Sequence, residues 1–184
     1  MTRMTTGVMI GLKSGLVRAL AVCLVAAVAS PAVLAQQFTG RVVGVVDGDT
    51  VDLLTDRKEL VRFRLSGIDA PERRQAFGTV SKMALSDMAF EKRATIVASK
   101  KDRYGRFVGK VLVSGADINL KMVRQGWAWH YKKYAREQNE ADQRQYDKAE
   151  SAARAERVGL WQDPNPIAPW EFRLKARPLP KPAS

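Results

Sequence analysis

Cysteine and histidine are nearly absent from this 184-residue chain, which has one of each, Cys23 and His130. One thiol cannot close an intramolecular disulfide, and two Cys/His side chains cannot make a four-ligand zinc site. No thiol–imidazole pair offers a nucleophile either. Acid is missing from the first 35 residues, which carry only the cations Arg3, Lys13 and Arg18. The apolar run Ala19 to Val28 falls short of the ~20 residues that a membrane-spanning helix needs. What remains for chemistry is carboxylates, arginines, hydroxyls and a hard metal ion.

The acid-free start is patterned like an export signal. Its cations precede the apolar run, and the small residues Val33 and Ala35 fit a cleavage site before Gln36. This predicts an exported protein, periplasmic or extracellular, without stable membrane insertion of the mature chain. Residues 36–184 then hold 28 Lys+Arg, 19 Asp+Glu and no cysteine. A cysteine-free exported domain has to draw its stability from one hydrophobic core.

The charge is uneven. From Arg57 to Lys133 there are 18 Lys+Arg against 7 Asp+Glu, whereas the rest of 36–184 is slightly negative. Any one basic pair reads as a solvated surface. The whole cluster reads as a surface for a polyanion, nucleic acid first.

Strands are predicted over Phe38–Val46, Thr50–Leu54 and Leu60–Leu65, with Asp47-Gly48 making a tight hairpin because glycine tolerates positive φ. A helix follows Gly78 and buries some of Val80, Met83, Ala84, Leu85 and Met88. Further strands cover Ala94–Ala98 and Phe107–Val113. A short helix is capped near Asn119, and a long one runs from about Asn139 to Arg157 with Tyr146, Ala149 and Ala153 inward. Five short strands with a helix after the third predict an α+β fold: a five-stranded OB-fold β-barrel with about three packed helices. The predicted divisions are a signal segment 1–35, a domain 36–162 and a Pro-rich basic tail 163–184, wrapped on the surface or disordered.

Three segments carry the chemistry: Val46-Asp47-Gly48-Asp49-Thr50-Val51, Phe63 to Glu72, and Asp102-Arg103-Tyr104-Gly105-Arg106. If their turns meet, Asp49, Asp69 and Glu72 share one small volume. Two like charges ~4 Å apart repel by about 4 kcal/mol at an effective dielectric of about 20. Such a cluster requires raised pKa values or a cation, and oxygen ligands suit Ca²⁺ or Mg²⁺. Arg64 and Arg106 are the counterpart, because a guanidinium fork matches two phosphate oxygens. Glu72 could orient or deprotonate a water. Each piece alone is plain: Asp-Gly is usually a turn, and Tyr-Gly-Arg is a common one. His130 between two aromatics reads as structural.

In this order the segments resemble the thermonuclease family, the staphylococcal-nuclease-like secreted nucleases. The likeness runs from about Phe38 to Trp161, anchored by VVDGDTV, FRLSGIDAPE, DRYGR and VRQGWAW. The resemblance implies an OB-fold and Ca²⁺-dependent hydrolysis of DNA and RNA phosphodiesters, with Mg²⁺ a lesser candidate; nothing in the residues demands more than a monomer, or calls for an obligate protein partner. It implies Asp49 and Asp69 as calcium ligands, with the Ala70 carbonyl, and Asp47 just outside them. Glu72 takes the base or water-positioning role, and Arg64 and Arg106 clamp the phosphate. Arg103 and Tyr104 contact a neighbouring nucleotide, as does Tyr134 and, less directly, Tyr131. Two departures stand out: Ala70 where the family often has threonine, and a short Arg73–Gly78 loop. The competing readings are a non-catalytic nucleic-acid-binding OB-fold module and an envelope-surface protein held by its basic patch.

Overall fold

A computed structural model describes residues 36–176, so the predicted signal segment lies outside the described residues. In chain order the elements are β1 (Gln36–Asp47), β2 (Thr50–Thr55), β3 (Leu60–Leu65), β4 (Ile68–Asp69), α1 (Gly78–Ala89), β5 (Arg93–Lys101), β6 (Phe107–Val113), β7 (Ala116–Asp117), α2 (Ile118–Arg124), β8 (Trp129–His130), α3 (Glu140–Ala155) and α4 (Pro169–Lys175). Short 3₁₀ helices occupy Lys132–Glu137 and Gly159–Gln162.

The long strands pair in the order β3-β2-β1-β5-β6, and a parallel pairing of β3 with β6 closes them into a barrel. This is the α+β, five-stranded OB-type architecture expected. Closure needs a strand that bends, and β1 supplies it. Register shifts at Val42/Gly44 and Val45/Asp47 are bulges that add twist and curvature. Its first half pairs with β5 and most of its length with β2.

Alternation then decides what faces inward. Val51 and Leu53 of β2 and Phe63 and Leu65 of β3 are fully buried, so Arg62 and Arg64 stand on the outer face. Phe38, Phe63 and Phe107 pack with ring centroids 4.8 to 5.7 Å apart, joining β1, β3 and β6 across the seam.

The helices cover one end. α1 buries Gly78, Ser81, Leu85 and Ala89, a strict three-and-four spacing. Of the five candidates for burial, Leu85 is fully buried and Ala84 and Met88 are partly buried, while Val80 and Met83 are exposed. The inward stripe is set by small residues, which let the helix lie close to the β1–β2 turn. α2 is capped by Asp117, which accepts from Leu120 N–H at 2.9 Å. That cap lies near Asn119 as expected, and Asn119, the second residue of the helix, is fully buried within its first turn. Its Oδ1 accepts from Val111 N–H at 3.0 Å and its Nδ2 donates to the Ser66 carbonyl at 2.9 Å. α3 buries Tyr146, Ala149 and Ala153 as its spacing predicted, with Asn139 as its N-cap. The chain leaves α3 through Arg157 and Gly159, both at positive φ.

Of the segment predicted as a tail, residues 163–176 are described, and they pack on the domain. α4 forms from Pro169, where a proline at the first helical position loses no hydrogen bond. Ala168 joins a second apolar cluster with Trp129, Ala153, Leu160 and Trp161, against which Trp170 packs. No helix among the described residues is long and apolar enough to cross a membrane.

Candidate active site

Asp49 lies in the two-residue loop Gly48-Asp49 that joins β1 to β2. Gly48 is required there by space rather than by φ, which is not positive, contrary to the expectation from the hairpin motif. A Cβ on it would lie 1.9 Å from Ser81 Oγ and 2.7 Å from the Ala70 methyl. The loop is thus pressed between α1 and the Asp69-Ala70 segment. Ladder register does the rest. Thr50 pairs with Arg64 across β2–β3, and Leu65 N–H donates to the Asp49 carbonyl at 2.8 Å.

Arg64 therefore meets both aspartates. Its Nη1 pairs with Asp49 Oδ1, and its Nη2 donates to Asp69 Oδ1 at 2.8 Å. Asp49 also accepts from the Ala70 N–H at 2.9 Å and from the Thr50 hydroxyl at 3.1 Å. Asp69 is carried on β4, paired with β8 through Trp129. Both carboxylates are almost wholly shielded from solvent, at 7 % and 1 % side-chain exposure.

Burial sets the electrostatics, and guanidinium groups oppose it. Burial alone would raise the Asp49 carboxyl, but Arg64, the Ala70 N–H and the Thr50 hydroxyl hold it below its ordinary value. Asp69 moves the other way, because burial and the Asp49 charge outweigh the help from Arg173 and Arg64. Asp47, whose Oδ1 accepts from Asp49 N–H at 3.1 Å, is pushed up to about 6 by burial and then by Asp49. Arg64 is raised, its loss of water more than offset by the two aspartates. The acids outnumber the cations that reach them, which leaves a place for a further positive charge.

The third acid is not gathered into the same knot. Glu72 is more than one-third exposed, and its carboxylate is joined to Asp69 only through Arg173. Among the described residues no three His, Cys, Asp or Glu side chains lie close enough to hold a metal alone. The expected three-carboxylate volume is therefore corrected to a buried Asp49/Asp69 pair with Glu72 alongside. The reason is the short loop: Gln75 N–H closes on the Glu72 carbonyl at 2.8 Å, turning the chain sharply there. Asp49, Asp69 and Glu72 face two guanidiniums, Arg64 and Arg173, and the one negative charge left over, with two buried oxygen-only carboxylates, fits a hard cation, given backbone and water oxygens to complete its shell.

Arg106 is not brought to the carboxylates. It starts the run into β6, and its Nε and Nη2 both pair with Asp102 Oδ2 at 2.8 Å. Asp102 also accepts from the Tyr104 and Arg106 backbone N–H groups at 2.9 and 3.0 Å, so this turn is folded around its own acid. Tyr104 is 69 % exposed, with Arg103 and Arg106 over its ring. Tyr134 is exposed, with Lys100 and Lys133 near its ring and Tyr131 edge-on at 5.0 Å. Both tyrosines are open aromatic faces framed by cations, the arrangement on which unpaired bases stack.

His130 is structural, as its setting predicted. It is buried against Tyr146. Its Nε2 lies 2.9 Å from Gln138 Oε1, and its Nδ1 lies 3.0 Å from Lys132 Nζ and 3.1 Å from Asp147 Oδ1.

The residue that sequence reasoning missed is Arg173. Its Nη2 donates to Asp69 Oδ2 at 2.6 Å, and its Nη1 to Glu72 Oε1 at 2.7 Å and Asp69 Oδ1 at 3.2 Å. No spacing rule links positions 101 and 104 residues apart. The only local signal was the Pro169 helix start followed by Trp170 and Phe172.

Residues 62–163 match the family described as "Staphylococcal nuclease homologue". The chain is 41% identical over 170 residues to "Protein ParB" of Escherichia coli, covering 88% of this chain and 92% of that one. It is 39% identical over 169 residues to "Micrococcal nuclease" of Shigella flexneri, covering 87% and 93%. An "Uncharacterized endonuclease" of Haemophilus influenzae is 41% identical over 142 residues, covering 77% and 76%. This chain belongs to the staphylococcal-nuclease-like family.

Proposed function

We infer that this protein is a phosphodiester-hydrolysing endonuclease, acting on DNA and RNA with Ca²⁺ as its metal and working outside the cytoplasm. The single observation that carries the reading is Arg64 bridging two buried aspartates beside an accessible Glu72. Polar burial of this kind is costly unless it serves a charged ligand. The family and the basic middle of the chain agree with it.

Asp49 and Asp69, with the Ala70 carbonyl, would hold the cation. Bound there, it supplies Lewis-acid polarisation of a phosphoryl oxygen. Arg64, between the two aspartates, would present its guanidinium fork to the phosphate. Glu72, half-open to solvent, orients the attacking water and takes its proton. Arg106 lies in a turn that hinges on one ion pair with Asp102, and exchange of Asp102 for a phosphate would bring it to the substrate. Tyr104, with Arg103 beside it, and Tyr134 offer faces to neighbouring bases.

The test is digestion of single- and double-stranded DNA by wild type and Glu72→Gln, with Ca²⁺ and with chelator, beside a binding assay. Wild type should cut only with Ca²⁺, and the variant should bind and lose at least ~10²-fold in turnover. Intact substrate with wild type in Ca²⁺ would leave the non-catalytic binding module as the better reading. Fractionation of expressing cells tests export, which a purely cytoplasmic protein would refute.

A further inference from the structure

The segment Ile167–Arg173 grips the Glu72 loop from two sides. On the main chain, Glu72 N–H donates to Gln75 Oε1 at 3.1 Å, and Gln75 Nε2 donates to the Ile167 carbonyl at 2.5 Å. On the side chain, Arg173 ties Glu72 to Asp69 through the bonds given above. The segment is itself anchored to the barrel. Trp170 stacks on Tyr131 with centroids 5.2 Å apart and planes 10° apart, and meets Trp129 edge-on at 5.5 Å. Tyr131 N–H donates to the Gly67 carbonyl at 2.9 Å, just after β3. A continuous set of contacts therefore runs from barrel to aromatic stack to α4 to Arg173 to Glu72.

We propose that Arg173 is a positioning residue for phosphodiester hydrolysis, setting the Glu72 carboxylate at a fixed distance from Asp69 while Gln75 and Ile167 fix the Glu72 backbone. The proposal rests on the hydrolytic reading above. A glutamate on a short, half-open loop samples many rotamers, and a misplaced base loses much of its effect. One guanidinium holding both acids removes that freedom, because its fork is planar and rigid. It also leaves the pair open to a cation. Asp69 Oδ2 accepts one bond, from Arg173, and Asp49 Oδ2 accepts one, from Ala70 N–H. Each carboxylate oxygen has room for two. Asp69 Oδ1 already accepts from both Arg64 and Arg173, so Arg173 lowers the repulsion among the acids while leaving an acceptor site on each Oδ2.

The experiment uses the full chain with Arg173→Gln, Arg173→Lys, Gln75→Ala and, as a control, Lys175→Gln, an exposed cation on the same helix. The measurements are kcat and KM on single-stranded DNA with Ca²⁺, Ca²⁺ affinity by calorimetry, and hydrogen exchange of the Gln75 and Gly78 amides. Arg173→Gln should lower kcat roughly tenfold or more, the range for partners that orient a reacting group, with KM changed far less. Lysine should recover part of kcat, Gln75→Ala should speed exchange of both amides and lower kcat, and Lys175→Gln should match wild type. Unchanged kcat in Arg173→Gln, with wild type cutting normally, overturns the proposal. A raised kcat with tighter Ca²⁺ binding also overturns it and makes α4 a plug over the acids. A wild type that cuts nothing refutes the hydrolytic reading instead. If Arg173→Gln does not fold, Gln75→Ala decides by the same kcat criterion.

Discussion

Arg64 faces Thr50 across the β2–β3 ladder, and that pairing delivers its guanidinium to Asp49, the residue before Thr50. The same guanidinium then reaches Asp69 five residues on along its own chain. A site built this way is only as sound as the register beneath it.

Removing Arg64 should cost stability as well as activity. Arg64→Gln leaves Asp49 and Asp69 buried with one guanidinium fewer, a change worth roughly 3–5 kcal/mol when a buried pair loses one partner. Thermal melts in chelator should show a clear fall, and Ca²⁺ should restore part of it, since binding to the folded state alone stabilises by mass action. A melting temperature equal to wild type in chelator would contradict the pairing.

Gly48→Ala should destabilise through overpacking, by about 1–3 kcal/mol. Its methyl would be driven into Ser81 Oγ, which donates to the Trp127 carbonyl at 2.7 Å and is not free to swing away. Adding Ser81→Ala should recover only part, because the Ser81 Cβ and the Ala70 methyl remain closer than 3 Å. Denaturant midpoints of the single and double variants check this, and full recovery would mean the loop is looser than described.

Acid should weaken the fold through His130. Burial, with Lys132 adding and Gln138 and Glu150 opposing, holds its imidazole below the ordinary 6.5. The folded state then binds fewer protons than the unfolded one, so this contribution is complete above pH 6.5 and is lost as pH falls below it. Asp47, raised to about 6, acts in the opposite sense and loses stability as pH rises. Comparison of His130→Gln with wild type isolates the imidazole, which is the only one in the chain. Melting temperatures from pH 8 to 5 should fall more steeply in wild type, and parallel curves would exclude His130.

Tyr104→Ala should raise KM for single-stranded DNA with little change in kcat. A stacked base is worth about 1–3 kcal/mol by such substitution, or roughly tenfold in KM. Steady-state kinetics at fixed salt measures it, and an unaltered KM would remove Tyr104 from the binding face.

Much of this was legible because periodicity and turn chemistry are local. The alternation of Val61, Phe63 and Leu65 against Arg62 and Arg64 placed β3 and its outer arginines correctly. Tyr146, Ala149 and Ala153 located the inner face of α3. The five apolar candidates in α1 could not be ranked, because hydrophobicity alone does not say which side of a helix has the barrel beneath it; Leu85 is buried, Val80 and Met83 are exposed, and Ser81 takes the close approach to Gly48. The cap of α2 was placed near Asn119 correctly, but nothing local shows that the Asn119 amide links α2 to β6 and to the Ser66 turn, a role that depends on contacts 8 and 53 positions away. Arg173 could not be found from motifs at all. Its meaning arises only when α4 folds back on Tyr131.

The parallel seam between β3 and β6 has a consequence for how chain length can vary. Phe63 and Phe107 share its ladder in the same phase. One residue inserted within β6 would turn Phe107 or its neighbours outward and carry a charged side chain into the barrel. The tip of the Asp102–Arg106 turn has no such constraint, because it lies beyond the last β5–β6 pair, Lys101 with Phe107, and the Asp102 N–H to Arg106 carbonyl bond that closes the hairpin. Lengthening is therefore cheap beside the seam and ruinous within it, and the natural place to graft new substrate contacts is that turn.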